Sequence, residues 1–120
     1  MTIAELLLPS VGLHRLATSV AERHYASGLH GPGAKEMVLA RIREAAGDLE
    51  HAEDYLRQAA AKRPDEYEMF LGQFFARTGN RGAAIAAFER ARHVTHRASD
   101  LTFIETRLRE LQESDGTGRT

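Results

Sequence analysis

The chain has 120 residues, 42% of them apolar, a net charge of −1 and no cysteine. That is one domain's length with enough apolar material for a core, which excludes a disordered chain. The missing thiols exclude disulfides, thiol nucleophiles and thiolate-rich zinc sites, and the near-zero charge gives no global pull toward nucleic acid or membrane.

Ile3 to Leu8 is an apolar patch that carries Glu5. It is too short to span a bilayer and lacks the basic cluster of a secretory signal, so no targeting segment is expected. Thr2 and Glu5 have the spacing of a capping box. Pro9 is expected to stop this short helix after Leu8. Ser10 then caps a helix over 11–27, with Leu13, Leu16, Ala17 and Val20 on one face and Arg15, Ser19, Glu22 and Arg23 on the other. Gly28, Gly31, Pro32 and Gly33 fall within six residues and mark the clearest break. It is read as a linker turn. A phosphate loop would need a preceding strand and a Lys-Ser/Thr end, and Lys35 alone supplies neither.

The next helix covers 34–46, with Met37, Val38, Leu39 and Ile42 as apolar positions. Gly47 ends it and Asp48 caps a helix over 49–62, whose inner line is Leu49, Ala52, Leu56 and Ala59. Pro64 closes that helix. Asp65 and Glu68 repeat the capping-box spacing and open 66–77. Gly79 ends it and Asn80 caps 81–95. Ser99 caps a last helix over 100–112, with Leu101, Ile104, Leu108 and Leu111 at spacings of three and four. Residues 114–120 are expected to be a short disordered tail. No two-residue alternation is sustained anywhere, so no sheet is predicted.

The sequence repeats with a period of 32 residues. Glu36, Met37, Leu39 and Ala40 fall on Glu68, Met69, Leu71 and Gly72. Gly47, Asp48, Ala52, Leu56 and Ala59 fall on Gly79, Asn80, Ala84, Phe88 and Ala91. The stretch Glu66–Val94 resembles one unit of the tetratricopeptide repeat family, a helix-hairpin module that stacks into binding surfaces. Leu71 and Gly72 match its leucine-glycine pair, Phe75 its following aromatic, and Gly79 its turn. Ala84, Phe88 and Ala91 match the small-large-small line of its second helix, and Pro64 its closing proline. Glu68 stands where the family often has Trp, Arg43 at an aromatic place, and His96 where a second proline would fall. The period is also shorter than the family's roughly 34 residues.

The resemblance covers about 33–98. It implies an all-α right-handed stack of antiparallel hairpins, closed by an N-terminal helix and the 100–112 helix, about six helices in one domain over 1–113. It also implies a groove lined by the first helix of each unit: Met37, Arg41 and Glu44, then Met69, Gln73 and Arg77. Methionines beside arginine suit an extended peptide with a carboxylate. The alternative is that helix 11–27 covers this face or that the methionines are core. A second, shorter stretch, 76–111, resembles the helical C-terminal tail of some extracytoplasmic-function sigma factors. That implies a transcription-associated regulatory domain as the alternative function, although the promoter-reading regions of such factors have no counterpart here.

Candidate chemistry is sparse. His93 and His96 have a spacing that can hold a metal, but Arg90, Arg92 and Arg97 surround them and no third ligand is evident, so no metal is expected. His24 and His30 flank the glycine break and are read the same way. Between Arg77 and Arg97, five arginines stand against the single Glu89. Arg81, Arg90, Arg92 and Arg97 make a basic patch that is read first as a solvated face and second as a contact for an acidic protein. Aromatics for base stacking are missing, so nucleic acid is not expected. The carboxylates Glu50, Glu53, Asp54, Asp65, Glu66 and Glu68 sit at helix starts, where they complement the helix dipole. No nucleophile elbow appears.

The expected function is a non-enzymatic, cytoplasmic protein–protein interaction module: a small adaptor or scaffold binding a peptide or helix of a partner. No cofactor and no membrane contact are expected. Two repeats are fewer than the three or so that bury a repeat core alone, and Leu6, Leu7 and Leu8 leave a sticky surface. A homodimer is therefore weighed slightly above a monomer.

Overall fold

The structure of the chain, a computed structural model, describes residues 3–26 and 30–117, with side chains described for 13–26 and 30–113. Six helices follow one another: α1 (Ile3–Tyr25), α2 (Ala34–Ala45), α3 (Leu49–Lys62), α4 (Pro64–Arg77), α5 (Arg81–Val94) and α6 (Ala98–Thr117). No strand occurs among the described residues. The all-α expectation holds.

The bounds of three helices, α1, α4 and α6, differ from expectation by more than one residue. α1 runs unbroken through Pro9, so neither a first short helix ends there nor does Ser10 open a second. A proline inside a helix removes one donor and crowds the carbonyl four residues back, here that of Glu5. Leu6, Leu7 and Leu8, which precede it, are strong helix formers. The expected cap at Thr2 lies outside the described residues. α1 also stops at Tyr25, short of the expected residue 27.

α4 starts at Pro64 rather than 66. Proline at the first helical position loses no bond, because that N–H has no intrahelical acceptor anyway. Arg63 is the cap residue, and its carbonyl accepts from the backbone N–H groups of Glu66 (3.1 Å) and Tyr67 (2.9 Å). Asp65 therefore does not cap the helix; it pairs with Arg63 (3.2 Å).

α6 starts at Ala98 and reaches Thr117. The N–H of Leu101 donates to the Arg97 carbonyl (3.0 Å), which puts Ser99 inside the first turn instead of at the cap. Residues 114–117, expected to be disordered, are helical; 118–120 lie outside the described residues.

The turns after α2 and α4 are the same structure 32 residues apart. Gly47 and Gly79 have φ of +81° and +84°, the left-handed region that only glycine enters freely. The N–H of Asp48 reaches back to the Arg43 carbonyl, and that of Asn80 to the Phe75 carbonyl, both at 2.9 Å. These are the long bonds of a Schellman cap. Each turn then starts the next helix: the Asp48 carboxylate accepts from the His51 N–H (3.3 Å) and the Asn80 side chain from the Ala83 N–H (3.2 Å).

The chain divides into two compact units, residues 1–59 and 60–120. In the second unit α4 packs on α5 and α5 on α6. Its buried residues include Tyr67, Leu71, Phe74, Phe75, Ala84, Ala87, Phe88, Ala91, Ile104 and Leu108. Phe88, fully buried, lies against Gly72 on α4 and meets Phe103 of α6 edge-on, with ring centroids 6.4 Å apart. In the first unit α1 packs on α2. Among its described residues, the buried apolar ones are Ala21, Leu39, Ala40, Ala52, Leu56 and Ala59.

Candidate functional site

The first unit also carries apolar surface in the open. On α1, Leu13, Leu16 and Val20 are 65%, 58% and 49% exposed. Their spacing of three and four puts them on one helix face. Ala21 behind them is buried. α2 supplies Val38 and Ile42, both half-buried, on the opposite bank. Between the helices runs a groove of about 490 Å³ lined by Leu13, Leu16, Ala17, Val20, Ala21, His24, Tyr25, Val38 and Ile42. Its walls are apolar over nearly their whole length, with the His24 imidazole and the Tyr25 phenol as the polar groups at one end.

That end is closed by an aromatic cluster. The His30 ring, from the connection between α1 and α2, lies 4.5 Å from His24 and 4.6 Å from Tyr25, centroid to centroid, and His24 meets Tyr25 edge-on at 4.9 Å. His30 thus lies against the last turn of α1. Gly31 and Gly33 both have positive φ; Gly28 lies outside the described residues. The cluster is an imidazole pair beside a phenol, and among the described residues no three His, Asp or Glu side chains are grouped to hold a metal ion.

Sequence pattern alone reads Leu13, Leu16 and Val20 as an amphipathic helix's inner face. A stripe at this spacing looks the same whether the fold covers it or not.

The residues of the predicted peptide groove fall on two elements. Met37 and Glu44 are half-buried and Arg41 exposed on α2, in the first unit. Met69 and Gln73 are half-buried and Arg77 exposed on α4, in the second. Within each helix the three share a face. Arg23 in the last turn of α1 and Lys35 in the first turn of α2, which the prediction did not include, flank the α1–α2 connection.

The predicted basic patch is largely engaged within the second unit. Arg90 on α5 pairs with Glu68 on α4 at 3.2 Å, and Glu68 is only 12% exposed. Arg92 pairs with Glu89 one turn back on its own helix. Arg81 donates to the main-chain carbonyl of Leu111 in α6 (3.1 Å). The carboxylates that pair with Arg90 and Arg92 are therefore Glu68 and Glu89.

Arg97 joins His96 and Asp100 around a niche of about 130 Å³ whose other wall is Arg63, Asp65 and Glu66. There Arg63 binds both Asp65 (3.2 Å) and Glu66 (3.1 Å). The hydrogen bond from Arg63 holds the Asp65 carboxyl below its ordinary range, and the same contact raises the guanidinium. Three carboxylates, Asp65, Glu66 and Asp100, line the niche with Arg63, Arg97 and His96, and Arg63 pairs with two of them.

At the start of α3, Asp48 and His51 lie 2.7 Å apart. Their side-chain hydrogen bond lowers the Asp48 carboxyl and raises the His51 imidazole from their ordinary values. Both are solvent-facing and complete a helix cap.

Among the described residues, no helix is long and apolar enough to cross a membrane. No protein-family model matches the chain, and no curated protein and no solved structure matches it either.

Proposed function

We propose that this chain is a non-enzymatic protein–protein interaction module, a small adaptor whose docking surface is the apolar groove between α1 and α2. The observation that carries the reading is the exposure of Leu13, Leu16 and Val20 on one face, with Val38 and Ile42 across the groove. Covering a leucine or valine side chain fully is worth roughly 1.5–3 kcal/mol. A contiguous apolar face left open is the mark of an interaction site. An open trough between two helices suits a partner helix anchored at i, i+3 and i+7 better than a small molecule, which needs a pocket that encloses most of it.

The turns at Gly47-Asp48 and Gly79-Asn80 support a tetratricopeptide-like hairpin repeat as the scaffold, since each is built by the same bonds. The Gly72–Phe88 contact is the close helix approach such a hairpin uses.

The test is nuclear magnetic resonance on the full chain, titrated with designed amphipathic helical peptides. Shifts gathered on Leu13, Leu16, Val20, Val38 and Ile42 are expected. Peptides that leave these methyl groups unmoved, or that move α4 and α5 instead, would retire this surface.

A further inference from the structure

We infer that the partner segment held in this groove is an amphipathic helix carrying a cluster of carboxylates at the end that lies over the α1–α2 connection. The inference rests on the interaction reading above and adds the partner's chemistry and its polarity along the groove.

The two ends of the groove differ. At one end stand Leu13 on α1 and Ile42 on α2. At the other, the last turn of α1 brings Arg23 and His24, the connection brings His30 onto the His24 ring, and the first turn of α2 brings Lys35. Among the described residues no carboxylate lies within ion-pair distance of Arg23 or Lys35. The Arg23 Nε donates to the Ser19 carbonyl at 3.4 Å.

Arg23 and His24 have a local reason to be there, because cations complement the C-terminal end of a helix. Lys35 has the opposite placement. It sits in the first turn of α2, where a cation opposes the helix dipole. Its place there is explained by a carboxylate arriving from outside. The nearby acids do not supply one. Glu22 lies two residues past Val20, on the far side of α1 from the apolar stripe. Glu36 is buried, 5% exposed, on the face of α2 turned away from Val38.

An apolar trough with one cationic end matches a helix with an apolar stripe and one acidic end. A nucleic-acid backbone needs a longer run of cations and gains nothing from leucines. Side chains 13 to 25 span about 20 Å of helix, enough for roughly four turns of a partner.

The experiment uses the full chain and three synthetic helical peptides of about sixteen residues. All share one leucine face; the last turn carries glutamates, glutamines or lysines. Affinity is read by fluorescence anisotropy at about 50 mM and about 300 mM salt. The glutamate peptide is expected to bind about tenfold tighter than the glutamine one, with the lysine peptide weakest, and the spread is expected to shrink at high salt. Arg23→Glu with Lys35→Glu is expected to reverse the order. Lys35→Glu alone, at a half-buried position, is expected to remove most of the glutamate preference, and serves if the double variant does not fold.

Equal binding of all three peptides, abolished by Leu16→Asp, would overturn the charge assignment and leave the interaction reading standing. No binding by any peptide, with no response to Leu16→Asp, would sink both. A chain that sediments as a dimer, becomes monomeric on Leu16→Asp and ignores all three peptides would make a second copy the occupant. Capture by anionic vesicles with no preference among the peptides would make it a lipid surface. Either result overturns the inference.

Discussion

A Cβ added to Gly72 would stand 2.9 Å from the Cγ, Cδ1 and Cε1 atoms of Phe88. The Phe88 ring is fully buried and also meets Phe103 edge-on, so it cannot move aside without disturbing the core. The missing side chain at Gly72 sets how closely α4 and α5 approach.

Gly72→Ala should therefore destabilise the chain. Alanine gains about 1 kcal/mol of helix propensity over glycine, but the overpacking costs about 1–3 kcal/mol. Gly72→Leu should unfold the second unit. Gly82, also in a helix, has nothing within 4 Å of an added Cβ. Gly82→Ala should be neutral to stabilising by up to about 1 kcal/mol. Urea denaturation of the three variants checks the contrast, and a stable Gly72→Leu would refute the packing argument.

Gly47 and Gly79 should respond alike to substitution. An added Cβ meets nothing at either site, so only the left-handed backbone matters. Alanine at each should cost about 1–2 kcal/mol, and asparagine less. Thermal melts of the four single variants give the comparison; a loss at one turn only would show that the two are not equivalent.

The Asp48–His51 pair ties the start of α3 to pH. His51 is raised above 6.5 by its hydrogen bond to Asp48, so its contribution is full below 6.5 and is lost as pH rises through the folded value. Asp48 is lowered below 3.8 by the same bond, so its contribution is present above 3.8 and is lost as pH falls through the folded value. The pair should help most between those two limits. The melting temperature of the wild type relative to His51→Ala should be higher at about pH 5 than at about pH 8. Parallel pH profiles for the two proteins would show that the pair is idle.

Leu16→Asp should leave folding nearly intact, because the side chain is more than half exposed and surface changes usually lie within about 0.5 kcal/mol. It should abolish binding of an amphipathic helical peptide. Arg77→Ala, at an exposed position on the α4 face, should change neither folding nor the binding of that peptide. Melting curves and peptide titrations on both variants separate the α1–α2 groove from the face containing Met69, Gln73 and Arg77.

The elements with a local chemical signature were legible in the sequence. Gly47-Asp48 and Gly79-Asn80 each pair a residue that accepts positive φ with one that caps, and both turns appear as expected. The misplacements arise where one local rule met another. Pro9 is a helix breaker that follows three leucines, and the helix runs through it. Ser99 is a better cap by type than Arg97, but the helix begins earlier. Residues 114–117 are polar, yet they continue a helix already ordered by buried Leu108 and by the Arg81 bond to the Leu111 carbonyl. The groove was not legible, because burial depends on what else packs nearby. Leu13, Leu16 and Val20 would read identically in a core.

Because the two turns satisfy their backbone by the same bonds, the junctions after Gly47 and after Gly79 are interchangeable. Removing 48–79 and joining Gly47 to Asn80 leaves a complete turn, with glycine before the cap and a capping side chain after it. Duplicating the same segment adds one period and again requires no new cap. A gene encoding such a chain can lengthen or shorten by unequal crossing-over in whole periods, and each product inherits finished helix ends.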